Sequence, residues 1–347
     1  MRILPIDQKR TARGHAAVST VKAALLDFLF FAAVVFAFLL SARICAAAIV
    51  VDGSGTGDYE TVQEAIEVAA AGDTIVVRPG VYEETGIIID TTVTLSGDNE
   101  SSTVIHGDGT GSVLVVNADG VTVSGLTIAD GGEMIHGTVS LTADNCRITG
   151  NIITGSDDVG IVSHGSTNNI IEKNVITGFS FAGIWFSGNE HSNTIVNNRI
   201  SDCLAGIYLF NSQDQIIEQN VISECSRAIL IEESNENTVR NNQFYSNGQG
   251  VHISYGADNL ITENNFISNE EHAKFSTWLA PDGLQISTWE ANYWDGSCGF
   301  FPQWIPGILF IKADDFSGLF LPWGSIDWHP AGEPYGPGAG QSHGHVY

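Results

Sequence analysis

The chain has 347 residues, with 14 Lys and Arg against 40 Asp and Glu and a formal net charge of −26. Six of the basic residues and two of the acids precede residue 49, so the remainder carries 8 basic and 38 acidic residues, a net of −30. Nucleic-acid binding needs basic patches that release counterions, and so acidic a surface excludes it.

In chain order, residues 1–48 begin with five basic residues and one acid, then turn apolar from Ala23 to Ala42. A run of about 20 apolar residues can cross a bilayer, and basic residues ahead of it keep the N-terminus inside. Two readings stay open: a signal peptide cleaved near Ala46-Ala47-Ala48, or a retained signal anchor. Either one places the rest outside the cytoplasm, extracellular or on the cell surface. Membrane contact is then expected only through this segment.

Residues 49–85 read as a strand, a Gly-rich turn and a short amphipathic helix, followed by the first strand-rich coil. Val62, Ile66 and Ala69 share one helical face, and Gly72 is expected to end the helix. Such a helix would plug the open end of a stacked structure, whose bare terminal edge invites aggregation.

Residues 86–270 carry a repeat. An asparagine recurs at Asn151, Asn174, Asn198, Asn220, Asn242 and Asn264, at intervals of 23, 24, 22, 22 and 22 residues. A second mark keeps step with it, at Gly160-Ile161, Gly183-Ile184, Gly206-Ile207, Ala228-Ile229 and Gly250-Val251. Short apolar–polar alternations rich in Ile, Val and Thr lie between turn residues, which is strand periodicity. A period of about 22 residues made of short strands and corners is one rung of a parallel β-helix, and parallel crossovers are overwhelmingly right-handed. Ile153, Ile176, Ile200, Ile222, Phe244 and Phe266 should form one inward row, and Ile161, Ile184, Ile207, Ile229 and Val251 another. The asparagines should stack into a hydrogen-bonded ladder that begins at Asn151, because Leu126 holds the equivalent place one rung earlier.

Five cysteines make no disulfide framework. Cys203 and Cys225 each follow a ladder asparagine by five residues and should stack on adjacent rungs, either as a disulfide or as a pair of free thiols. After Phe266 the period fails. Residues 271–347, with six of the seven tryptophans between Trp278 and Trp328, read as a Trp-rich C-terminal cap. The fold expected is an all-β, right-handed parallel β-helix with a capping helix at its N-terminal end.

The residue two after each Gly-Ile glycine is expected to face outward. This row is Val162, Trp185, Tyr208, Leu230 and His252, with Phe210, Glu232 and Glu233 at the following corner. A strip of exposed aromatics can bind sugar rings through their apolar faces; it can also serve protein contact, or be covered by the C-terminal segment. Trp185, Tyr208, Phe210, Glu232 and His252 are therefore the candidate carbohydrate-binding residues.

The stretch DGSGTGDYETVQEAIEVAAAGDTIVVRPGVYEE, the rungs after it and ANYWDG at 291–296 together resemble NosD-type and pectin-lyase-like right-handed β-helix proteins. The tail, including PWGSIDWHPAGEPYG at 322–336, looks like NosD-like extracellular β-helix proteins. The resemblance covers most of residues 49–347. It implies the fold more than the chemistry, since the superfamily holds lyases, hydrolases, esterases and non-enzymatic surface proteins. Gly155-Ser156-Asp157-Asp158 is similar to the aspartate pair of polygalacturonases, and Ser163-His164-Gly165 to their histidine motif. Here both motifs fall on one rung, and the other motifs of that family have no counterpart. With Asp130 one rung earlier, Asp157 and Asp158 are the catalytic candidates for inverting hydrolysis. The NosD resemblance also suggests copper, which wants Cys, Met and His together. With two methionines and only His343 and His345 as a terminal pair, no metal or other cofactor is expected.

The primary expectation is an exported carbohydrate-binding or structural protein with a polysaccharide partner. The alternative is a polysaccharide-active hydrolase or lyase, and the lesser one a NosD-like copper maturation factor.

Overall fold

The computed structural model describes residues 48–132, 136–155, 158–280, 283–284, 286–296, 301–311 and 319–336. The apolar run 23–42, Asp157, Met134, His343 and His345 lie outside them. Among the described residues no helix is long and apolar enough to cross a membrane.

The chain winds as a parallel β-helix with three sheets. In the described residues, sheet A has eleven strands from Ala48–Val51 to Thr288–Glu290, and sheet B has ten from Gly80–Glu83 to Tyr293–Trp294. Sheet C has twelve on its main path, from Ile87–Ile89 to Leu319–Asp327. Each rung visits A, B and C in turn, and successive rungs pair in parallel and in register, as in Ile153↔Ile176 and Ile184↔Ile207. The alternation of apolar and polar residues fixes this register, because a one-residue slip would turn the isoleucines outward. Both expected inward rows are buried, from Ile153 to Phe266 and from Ile161 to Val251. Fold and winding agree with the expected right-handed coil.

The corners explain the repeat length. The residue before each ladder asparagine adopts a left-handed backbone, as at Lys173, Asn197, Gln219, Asn241 and Glu263 (φ 55–57°). That conformation turns the chain sharply and drives the next side chain inward. Asn174 then donates its N–H and its Nδ2 to Asn198 Oδ1, both at 3.0 Å, and Nδ2 also donates to the Ile148 carbonyl at 2.9 Å. Each buried amide is thereby satisfied by the rungs beside it.

Two further corners use the same device, and the repeat as read from the sequence did not separate them out. Between sheets C and A, Asn169, Asn193, Gln215, Asn237 and Asn259 form a second ladder. Between B and C, Cys203 and Cys225 share a column with Asn247 and Asn269, with Cys225 N–H donating to Asn247 Oδ1 at 3.0 Å. Cys203 and Cys225 are free thiols, which decides between the two forms expected.

At the N-terminal end of the described coil a short helix, α1 (Val62–Val68), lies against the first rung through Val62, Ala65 and Ile66. Thr61 caps it, and the Glu84 carboxylate accepts the N–H groups of Val62 (2.7 Å) and Gln63 (3.1 Å), where the helix dipole favours an anion. Gly72 does not end it: Ala69 turns to extended backbone and its N–H bonds Ile66, so the helix stops three residues sooner.

At the other end the lapse in period is an insertion within the stack. Asn292 takes the next ladder place, accepting from Asn264 N–H at 3.1 Å, and Trp294 stacks on Phe266 (centroids 4.3 Å, 6°). The six extra residues fall between Ser276, which pairs with Ser254, and Thr288, which pairs with Leu260. Gln303–Ile311 pairs in parallel with the long Glu271–Ala280 strand, and Leu319–Asp327 returns antiparallel along Gln303–Ile311. Of the tail tryptophans, Trp289 and Trp294 are buried, whereas Trp304, Trp323 and Trp328 are exposed.

Candidate functional site

Sheet C is built differently from A and B. From Val159–His164 to Gln249–Ser254 its strands are six residues long, against three on the other two faces. Their second position holds Gly or Ala because neighbouring backbone comes close: a Cβ at Gly206 would meet Ile222 Cγ2 at 2.6 Å and the Ala228 carbonyl at 2.7 Å. The long strands give sheet C an outer surface with three columns. One runs Arg227, Gln249, Glu271, in line with the buried Ala182 and Ala205; the next Trp185, Tyr208, Leu230, His252, Lys274; the third Ser187, Phe210, Glu232, Ser254, Ser276.

Towards the N-terminal end this surface is aromatic. Trp185 and Tyr208 are nearly parallel (centroids 6.1 Å, 9°), and Phe181 sets its edge against both at 5.5 and 5.7 Å. His164 meets Trp185 edge-on at 6.1 Å, and Phe210 lies 6.3 Å from Tyr208. The Tyr208 hydroxyl donates to Glu232 Oε2 at 2.6 Å. Burial and that carboxylate together push the phenol well above its ordinary range. Every member is half-buried, since each ring covers its neighbour.

The expected outward row needs one correction. Val162 is fully buried, because backbone of the preceding rung lies on it: a Cβ at Gly137 would stand 2.9 Å from Val162 Cγ1. Trp185, Tyr208, Leu230 and His252 do lie on the outer side but are half-covered, not open.

Towards the C-terminal end the surface becomes polar. Arg227 Nε donates to Gln249 Oε1 at 3.3 Å, Gln249 Nε2 donates to Glu271 Oε2 at 2.7 Å, and Lys274 stands 3.7 Å from Glu271. Burial, aided by Arg227 and Lys274, holds His252 down at about 4, so it is neutral near pH 7. Arg227, Gln249 and Glu271 also wall an open trough of about 890 Å³ along the corner between B and C, with Leu204, Glu224 and Glu270 in its lining. A smaller trough adjoins it through Leu204, Glu224 and Ser226 and reaches Asp202 and Phe179.

The catalytic candidates are placed less favourably. Asp130 Oδ2 lies 2.8 Å from His106 Nε2, whose Nδ1 lies 2.9 Å from Glu83. This carboxylate–imidazole–carboxylate row is on the exposed side of sheet B. Asp158 accepts a hydrogen bond from the Ser180 hydroxyl at 3.0 Å, and Asp157 lies outside the described residues. Copper chemistry does not fit the residues described. No group of three or more His, Cys, Asp and Glu among them could hold a metal, and the Cys203 and Cys225 thiols donate to carbonyls of their own rungs at 3.2 Å.

Sequence reasoning missed Phe181 and the Arg227–Gln249–Glu271 row, and it noted His164 only within a histidine motif, not beside Trp185. Phe181 belongs to a turn and carries no periodic mark. The polar row was visible only as three unlike residues at equal spacing.

This is a long parallel β-helix whose one broad face is part aromatic and part polar. Residues 66–297 match the family described as periplasmic copper-binding protein (NosD), and the chain belongs to that family. Among solved structures it is similar to XylC in complex with xylose (15% identity, 70% of each chain, TM-score 0.57). It is also similar to an alginate lyase from Paenibacillus sp. (18%, 62% of this chain and 90% of that one, TM-score 0.46) and to pectate lyase Pel9A (12%, 67% and 75%, TM-score 0.46). No curated protein matches. Identities this low speak for the fold alone.

Proposed function

We propose that this is an exported, cell-surface or extracellular, carbohydrate-binding protein whose ligand is a polysaccharide lying along the outer face of sheet C. The observation that carries the reading is the cluster of Phe181, Trp185, Tyr208 and Phe210, closed by the Tyr208–Glu232 hydrogen bond. Aromatic rings held in place by their neighbours offer apolar area at little entropic cost, and a polar group at the edge takes sugar hydroxyls. Gln249, Arg227 and Ser254 supply further donors and acceptors on the following rungs. The kinship with XylC bound to xylose is consistent with such a ligand without naming it for this chain.

The test is glycan-array and affinity-electrophoresis binding with the wild type and with Trp185→Ala/Tyr208→Ala. Loss of two stacking rings at about 0.5–1.5 kcal/mol each, beyond their buried area, predicts binding at least about ten-fold weaker. Unchanged binding would remove the strip as the site.

A further inference from the structure

Resting on that carbohydrate reading, we propose that the face selects an uncharged polysaccharide and rejects uronate polymers. The aromatic strip is edged on both sides by carboxylates. Asp202, Glu224 and Glu270 stand exposed along the corner trough, with Glu271 in its wall, and Glu232 and Glu233 follow the strip at the opposite corner. The basic groups of the face are two against these six carboxylates. Arg227 donates to Gln249 and Lys274 lies beside Glu271. His252 sits between them as a neutral ring near pH 7.

The geometry makes this a matter of repeat spacing. Asp202 and Glu224 hold the same corner place on adjacent rungs, about 4.8 Å apart along the coil, and Glu270 follows further along that side, so a chain lying along the strip passes several carboxylates in succession. A uronate polymer brings an anion with every sugar unit. Like charges a few ångströms apart in water repel by about 1 kcal/mol per pair, and the penalty accumulates along the contact until salt screens it. An uncharged chain meets the same carboxylates as hydrogen-bond acceptors for its hydroxyls. The net charge of −26 adds a long-range field of the same sign.

The experiment measures retardation of the full chain by a glucan, a galactomannan and an arabinoxylan, and by polygalacturonate and alginate, at low and high salt. It uses the wild type, Trp185→Ala/Tyr208→Ala, and the exposed-corner variant Glu224→Gln/Glu233→Gln/Glu270→Gln. Melting curves establish that each variant is folded, and Trp185→Tyr keeps a ring if the double variant is not. The expected result is binding to at least one uncharged polymer, weakened about ten-fold or more by loss of the rings. Uronates should bind at least ten-fold more weakly at low salt, with the gap narrowing at high salt and in the triple amide variant. Tight uronate binding by the wild type that disappears with the rings would overturn the selectivity and leave the carbohydrate reading standing. Absence of binding to all five polymers, or binding indifferent to the rings, would overturn both.

Discussion

Asp327 stands over Asn292 in the place a further ladder amide would take. Its Oδ2 accepts the Asn292 N–H at 3.0 Å and lies 3.3 Å from Asn292 Nδ2, and it also accepts Trp294 Nε1 at 3.0 Å. A fully buried carboxylate thus terminates a column of asparagines and anchors the last strand of sheet C to the final rung of sheets A and B.

Removing that acceptor leaves two buried donors, Asn292 N–H and Trp294 Nε1, without a partner, while Asn292 Nδ2 keeps the Ile261 carbonyl at 2.9 Å. Each orphaned group costs about 1–3 kcal/mol, so Asp327→Ala should lower unfolding free energy by about 2 kcal/mol or more. Asp327→Asn retains an acceptor oxygen and should lose less. Urea denaturation of the two variants beside the wild type measures the difference; equal losses would count against the hydrogen bonds.

Within the ladder, Asn198→Ala deprives Asn174 N–H of its acceptor and Asn174 Nδ2 of one of its two, and removes the donor to the Ile171 carbonyl at 2.8 Å. A loss of about 2–4 kcal/mol is expected for several unsatisfied groups in one buried column. Thermal melting of Asn198→Ala against an exposed control in a strand, such as Arg199→Ala, checks it.

Glu190 predicts an unusual dependence on pH. It holds a place that serine takes on neighbouring rungs, at Ser166, Ser212 and Ser234, and it is fully buried with Oε2 unpartnered. Burial raises its carboxyl from 4.5 to about 8. The folded state then holds a proton that the unfolded chain releases above pH 4.5. Its contribution is intact below that pH and is lost progressively as pH rises towards 8, by about 3 kcal/mol at pH 7 at a slope near 1.4 kcal/mol per unit. Glu190→Gln should melt like the wild type at pH 4.5 and higher than it at pH 8. Parallel melting curves across that range would contradict the assignment.

The stacked thiols predict selective reactivity. Each thiol acts on the other across the stack, lowering Cys203 and raising Cys225, with burial adding to the rise. Cys203 should be alkylated before Cys225 in native protein, and both rapidly in urea, as peptide mass mapping would show.

Much of the coil is legible in the sequence, for a physical reason. A rung that must stack on its neighbours repeats its inward isoleucines and its corner amide at one interval, so Asn174 and Asn198 announce each other. The other two ladders are harder to see. Gln215 substitutes for asparagine in one, and Cys203 and Cys225 occupy places in the other, because either a short thiol or an amide satisfies an inward corner. The end of the coil is obscured by six inserted residues that break the count without breaking the register. The aromatic face is half legible: Trp185 and Tyr208 lie in phase with the repeat, whereas Phe181 reaches them from a turn. Val162 shares that phase and is buried because an adjoining loop differs from its counterparts. Periodicity reports what a rung does to the next rung, and says nothing about what a loop lays across it.

The left-handed corners recur every 22 residues from Gln219 to Glu263 with the same backbone angle, so those coils are interchangeable tiles. Excising residues 220–241 would bring Gln219 directly before Asn242, a junction of the same kind as the one it replaces. Such a protein can therefore lengthen or shorten by whole turns through duplication or loss of one short stretch. The reach of the outer face of sheet C could then drift over generations while each amino acid's immediate surroundings stayed the same.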